Sequence, residues 1–367
     1  MKQVYVIISV LSFLFVSCTC HVKEECLFGV DSVDDKKTVL SELIDSVEYI
    51  PLETMDASLL PALSKVLSVK NFIYASAETE IMKFDEKGKY VGKLSKLGNG
   101  PHDYLSINDY DVILHNGKTE IWVCHQKGIS CYHAEDFSFL RLIPLKIPVL
   151  HFKYVSDDVI IIQTSGEYSF CLCDYNGVVR NKFLPNDPAN LSHSLMQFID
   201  TGKGVLCILA ATDEAVYYNR HSDSLELLRY VRGIDNVLTR NDNRDYMERY
   251  GYLEYPKKVE RDFVNIVTIR KKGDETMLFL RSGKGEKVLI SKGGSSEWNS
   301  YDIYPSPSIE NDILDGLNVR YLLTMASCDS DDSFIMSMPA SMLTGTSVNG
   351  KVVDAEDNPV IIKYQLK

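Results

Sequence analysis

Beyond its first few dozen residues the chain repeats a loose pattern: an apolar strand, a polar gap, a second strand ending near an aromatic residue or Asp, a turn, and a third strand. The clearest copy starts at Phe72, Ile73 and Tyr74, resumes from Ile81 to Phe84, turns through Asp85, Glu86, Lys87 and Gly88, and leaves through Tyr90 and Val91. A second runs from Ile121 to Val123, Ile129 to Tyr132 and Phe137 to Leu140; a third has Val159 to Ile162, Phe170 to Cys173 and the turn Asp174 to Gly177. Weaker copies begin at Val205, Met277 and Phe334. Six starts predict an all-β fold, a six-bladed β-propeller with four-stranded antiparallel blades.

The turns carry their own physical reason. Asp85 to Gly88 and Asp174 to Gly177 place Gly where a type I turn with a bulge requires positive φ, so each should close an antiparallel hairpin. Helical spacing is scarce. Its main instance is Arg240 to Phe263, where Tyr246 and Tyr250 fall on one face, and it reads as a small partly helical insertion between the fourth and fifth blades. A propeller avoids a raw sheet edge when a strand from one end of the chain completes the blade begun at the other, so Val47 to Leu52 or Val360 to Leu366 should close the ring. Glu53 then reads as part of that latch.

The start of the chain has a different character. Lys2 precedes an apolar run from Val4 to Val16 that is too short to span a bilayer, and small residues follow at Ser17 to Thr19. Phe15, Val16, Ser17 and Cys18 resemble a bacterial lipobox, with Phe15 where Leu is usual. That resemblance implies a signal peptide over residues 1–17 and lipidation of Cys18; residues 18–37 then read as a tether, in which Lys23, Glu24 and Glu25 either resemble the surface-export signals of Bacteroidetes lipoproteins or are only solvated spacer, and the repeats place the propeller domain over 38–367. Acyl chains on Cys18 would anchor the protein to a membrane.

Further motifs carry a resemblance to a family. Tyr49-Ile50-Pro51-Leu52-Glu53-Thr54, Phe84-Asp85 with Gly88, the loop Gly98-Asn99-Gly100-Pro101-His102-Asp103-Tyr104, and Asn358-Pro359-Val360 with the closing Tyr364 to Lys367 resemble the 6-bladed β-propeller lipoproteins of Bacteroides and relatives, which are NHL-like propellers. The resemblance implies the propeller and a place in the cell envelope as an outer-membrane lipoprotein, facing the periplasm or the surface. It implies no reaction. The loop departs from the family pattern, with Asn99 in place of Arg, His102 in place of Gly and Asp103 in place of Glu, which removes any role belonging to that arginine.

Two segments offer ligand-binding chemistry. In the loop, Asn99, His102, Asp103 and Tyr104 gather an amide, an imidazole, a carboxylate and a phenol. In the insertion, Tyr246, Tyr250, Tyr252 and Tyr255, interleaved with Arg244, Glu248 and Arg249, could wall a sugar or peptide site, or simply pack the insertion on the propeller rim.

Composition narrows the partners. A formal charge of −12 with no dense Lys/Arg stretch argues against nucleic acid. The nine cysteines lack zinc or disulfide spacing. Cys171 and Cys173 share a strand face, and Cys124 would face Cys131 if Lys127 and Gly128 made a two-residue turn. No metal or cofactor motif is found; Asp329, Asp331 and Asp332 lack the glycine and distal glutamate of a calcium loop. The preferred reading is a non-enzymatic binding module for a glycan or peptide, held to the membrane only by its lipid and set beside an outer-membrane uptake complex. The alternative is a propeller hydrolase or lyase on which His102, His125, His133 or His151 converge near the axis.

Overall fold

The computed structural model describes residues 26–60, 63–77, 79–187, 197–208, 211–313, 319–324, 328–329 and 333–367. Six four-stranded antiparallel sheets form a propeller. From the axis outward the first blade is Lys65–Val69, Phe72–Ala77, Glu80–Asp85 and Tyr90–Ser95, and the second is Asp109–His115, Lys118–His125, Gly128–His133 and Phe139–Pro144. The third runs from Val149–Ser156 to Val179–Pro185, the fourth from Gln197–Asp200 to Ser224–Arg229, and the fifth from Asn265–Lys272 to Glu297–Tyr304. In the sixth, Cys328–Asp329, Phe334–Met338 and Val360–Leu366 are completed on the outside by Ile44–Pro51 from the other end of the sequence.

The middle strands explain why the apolar runs read as they do. Each blade has a neighbour on both faces, so residues that alternate in direction are buried in two different cores. Ile121 and Val123 pack with Tyr74 and Ile81 of the first blade, whereas Trp122 and Cys124 pack with Phe152 and Ile160 of the third. Ile161, next to Ile160, turns to the fourth blade and meets Val205 and Val216. The same division gives a core between the sixth and first blades, with Ile335 and Ile361 against Ile73 and Phe84.

Both candidate closing segments take part, as partners of each other: Pro51 faces Val360, Ile50 faces Ile361, and Val47 faces Tyr364. Glu53 then ties the sixth blade to the first. Its backbone N–H donates to the Gly88 carbonyl at 2.8 Å, and its Oε2 accepts from the Tyr90 N–H at 2.9 Å. Buried Asn358 fastens the same connection, donating from Nδ2 to the carbonyls of Glu53 (2.8 Å) and Ser58 (2.7 Å) and accepting from Leu60 N–H at 2.8 Å.

The Asp-x-x-Gly turns form as expected. Asp85 Oδ1 accepts from the N–H groups of Lys87 and Lys89, both at 2.9 Å, and Gly88 adopts φ 82°. Gly88 is also a point of close approach: a Cβ there would stand 2.3 Å from the Pro51 carbonyl oxygen of the preceding blade. Gly177, with φ 80°, stands in the same relation to Pro144, at 2.2 Å.

Two features differ from the reading of the sequence. The segment expected as a tether up to residue 37 already touches the propeller from Phe28 on: Phe28–Gly29, Ser32–Asp35 and Thr38–Val39 pair in parallel with Val231–Arg232, Glu297–Ser300 and Ile309–Glu310. This strap crosses the outer side of the fourth and fifth blades. The hairpin in the second blade also has another register, because its two-residue turn is Gln126-Lys127 with His125 opposite Gly128. Cys124 therefore faces Ile129, and Cys131 faces Trp122. Both are free thiols buried in the core between the second and third blades, as are Cys171 and Cys173. Burial pushes the Cys171 thiol up to about 11 and that of Cys173 to about 12.

The joint at Gly88 gives a test of closure. Gly88→Ala combines a strained positive φ with a collision against a backbone oxygen, and should destabilise the protein by about 1–3 kcal/mol. The shift in the urea midpoint at unchanged m-value is the measurement; an unchanged midpoint would show that the two blades have room to separate there.

Candidate functional site

Because every complete blade is a four-stranded meander, each inner strand starts at the same end of the ring. The connections from outer to inner strands gather there. Three side chains from three blades meet at the mouth of the axis: Lys65 Nζ donates to Asp109 Oδ1 at 2.8 Å and to the Tyr110 carbonyl at 2.6 Å, while His151 Nδ1 lies 3.4 Å from Asp109 Oδ2. One step deeper, Lys153 Nζ is 3.4 Å from Asp111 Oδ2. The Asp109 side chain is 6% exposed, against 32% for Lys65 and 40% for His151, so the Lys65 ammonium and the His151 ring open toward solvent and the carboxylate stays beneath them. Burial alone would raise the Asp109 carboxyl, but Lys65 and His151 outweigh it and hold the group down to about 2. Burial likewise works against the Lys65 ammonium, and Asp109 and Asp111 reverse it.

The loop at residues 98–104 leads into this mouth, and its groups are turned to different uses. Asp103 Oδ2 accepts from Gly100 N–H at 2.8 Å, and a Cβ on Gly98 or Gly100 would meet the same oxygen at 2.5 or 2.6 Å. The two glycines thus make room for Asp103 to fold inward. Lys127 Nζ donates to the carbonyls of Gly100 (2.7 Å) and Asp103 (2.9 Å), and the Tyr132 hydroxyl donates to the His102 carbonyl at 3.0 Å. Tyr104 is fully buried, with its hydroxyl on the Thr79 carbonyl at 3.2 Å. The His102 ring lies 4.0 Å from that of Phe139, and Asn99 is exposed.

The insertion Arg240–Asp262 is two helical stretches broken at Gly251 (φ 69°, ψ 166°) and started by a reciprocal cap between Thr239 and Asp242. The rings of Tyr246 and Tyr250 meet at a tilt, 5.3 Å apart, and pack, with Met247 and Phe263, on a small core of Leu238, Tyr255 and Val259. The Tyr246 hydroxyl donates to Asp262 Oδ2 at 3.2 Å. The helices are bound to the propeller by Arg244, whose Nε donates to Asp187 Oδ2 at 2.8 Å. Tyr255 is thus inner packing and Tyr246 and Tyr250 lie half-buried against it, while Tyr252 (63% exposed) and Leu253 (85%) stand out at the break.

The four histidines occupy separate places. His125 is buried, with Nε2 2.7 Å from Ser130 Oγ, and burial together with Lys127 pushes it down to about 4. His133 is half-buried at the end of its strand, and His102 and His151 are placed as above. A different histidine has the denser surroundings: His115 Nδ1 is 3.1 Å from Glu120 Oε1 and its Nε2 is 3.0 Å from Asp157 Oδ1, with Arg141 and Trp122 both donating to Glu120 Oε2 at 2.8 Å. Its two carboxylates lie on opposite sides of the ring, so they do not converge on one point. Among the described residues no group of three or more His, Cys, Asp and Glu side chains could hold a metal ion, and Asp331 and Asp332 lie outside them.

The network at the axis has a consequence for stability. A carboxyl held at about 2 in the fold and near 3.8 otherwise contributes about 2 kcal/mol above about pH 4, lost as pH falls toward 2. Asp109→Asn should therefore flatten the acid limb of the stability curve by about that amount. Unfolding free energies of both proteins between about pH 2 and pH 6 provide the check, and parallel curves would refute the coupling.

No curated protein matches the chain. Among solved structures, a Bacteroides fragilis protein, described as exported by inference, aligns with a TM-score of 0.65 at 16% identity, over 92% of this chain and 100% of its own. That likeness supports the fold. A Bacteroides vulgatus member of the DUF4221 family (TM-score 0.47, 11% identity, 89% and 98% covered) and a streptogramin B lyase (0.44, 10%, 88% and 98%) are too distant to carry an argument. A family model matches residues 28–365, from the first strand of the strap to within two residues of Lys367. The chain belongs to the family described as a domain of unknown function, DUF4934.

Proposed function

We propose that this protein is an exported, lipid-anchored binding module of the cell envelope that grips a peptide segment at the end of the propeller carrying the outer-to-inner connections. The observation that carries the reading is the placement of exposed apolar side chains. Met55 and Leu59 lie in the connection from the sixth blade to the first, Leu97 and Leu105 in the next, and Tyr252 and Leu253 at the tip of the insertion; they are 45% to 85% exposed. The first two connections end at Lys65 and Asp109, beside His151, and the third ends at Asn265 on the inner strand of the fifth blade, at the same end of the ring. Apolar side chains around a charged centre suit a polypeptide, whose side chains use the first and whose backbone and termini use the second. Aliphatic groups spread over three separate connections match the successive side chains of a peptide better than the single C–H face of a sugar ring, which favours the peptide.

The anchor rests on Cys18, which lies outside the described residues, and on the exported character assigned to the Bacteroides fragilis neighbour. No helix among the described residues is long and apolar enough to cross a membrane. An uptake complex in the outer membrane would be the setting in which such a module presents its ligand.

Two measurements test these statements. Leu97→Asp, Leu105→Asp and Leu253→Asp together should lower retention on a peptide array by at least about tenfold, while Leu114→Asp with Val178→Asp, at the opposite end, should leave it intact. Equal losses from both sets would sink the assignment of the face. For the anchor, Cys18→Ser should move the protein from the membrane fraction to the soluble fraction and abolish incorporation of labelled fatty acid; labelling that persists would remove the lipid from the account.

A further inference from the structure

The strap creates a second site, at the end of the ring opposite the connections. Ser32–Asp35 lies along Glu297–Ser300 and is held there by Trp298, whose indole N–H donates to the Gly29 carbonyl at 2.8 Å. Beneath it a cleft of about 650 Å³ opens between the outer strands of the fifth blade, the turn of helix Leu40–Leu43, and the end of the strand Val360–Leu366. That volume is of the size that holds small organic ligands.

The chemistry of its walls is specific in kind. Leu43, Ile290 and Leu366 give an apolar floor. Above it Ser32, Asn299 and the Tyr301 hydroxyl offer neutral groups that both donate and accept. Tyr301 lines the cleft although it is only 5% exposed, and burial pushes its phenol above the usual value, which keeps the hydroxyl neutral and able both to donate and to accept. The charges are nearly balanced, with Asp34, Glu42 and Glu297 against Lys292 and Lys367. Several are already engaged: Asp34 pairs with Lys36, and Glu42 Oε2 accepts from the Thr38 hydroxyl at 2.6 Å. A strongly anionic or cationic ligand would meet a like charge on one side of the rim.

We propose that this cleft binds a neutral saccharide of one or two rings, with a C–H face of the sugar on the Leu43–Ile290–Leu366 floor and its hydroxyl groups on Tyr301, Asn299 and Ser32. Hydroxyl groups supply both donors and acceptors at close spacing, and a pyranose ring supplies the apolar face. The site is distinct from the peptide-binding end and does not depend on that assignment.

Titration calorimetry of the full mature chain with glucose, N-acetylglucosamine, maltose and cellobiose tests it. Saturable binding of at least one, with Kd below about 1 mM, is expected. Tyr301→Phe keeps the ring and removes only the hydroxyl, and should weaken that binding at least tenfold; Asn299→Ala, at an exposed position, should weaken it without changing the unfolding midpoint. Leu253→Asp should leave it unchanged. The proposal is overturned if none of the four sugars binds, if binding survives Tyr301→Phe and Asn299→Ala undiminished, or if glucose 6-phosphate or glucosamine binds more tightly than glucose.

Discussion

Burial of each sheet on both faces is the constraint on which the structure depends. A single blade exposes two apolar surfaces, such as the Ile160 and Ile161 sides of one strand, and neither can be covered without a neighbour. Six blades satisfy one another only as a closed ring. The apolar transfer involved, roughly 25 cal/mol per Å² of surface removed from water, is spread over six cores, the largest of them between the fifth and sixth blades.

Closure sets demands that the cores alone do not meet. The outer end of one blade must approach the turn of the next closely enough for backbone contact, and glycine at 88 and 177 is the local solution. Glu53 and Asn358 then hold the joint where the two distant parts of the chain meet. The axis is tied separately, by ion pairs among inner strands of three blades. These pairs are polar because the narrow mouth remains partly wet, and an apolar lining there would leave solvent against hydrocarbon.

How much of this could be read from the sequence follows from how far each interaction reaches. The blades were legible because burial leaves apolar runs and the hairpins leave Asp-x-x-Gly. The strap was not, since Ser32–Asp35 is exposed along its whole length and pairs through its backbone, which imposes no side-chain pattern. The loop at 98–104 was recognisable as unusual, yet the inward turn of Asp103 and the burial of Tyr104 make those two groups parts of its framework. Lys65 and Asp109 were missed, and His151 was named only as one of four histidines near the axis, because the three come from three blades; the alternation of Asp109 and Asp111 at the start of a strand was the one local hint.

The pairing of Ile44–Pro51 with Val360–Leu366 also governs how the protein comes into being. A chain delivered from its N-terminus presents the outermost strand of the sixth blade first and its partner last, with some three hundred residues between them. Until the final strand arrives, that early strand has an open edge and the ring has two uncovered flanks, the condition in which β-proteins associate wrongly. Assembly is therefore a late, long-range event, slow in the way of folds with distant contacts. Its natural guardian is whatever shields the growing chain until the circle is whole.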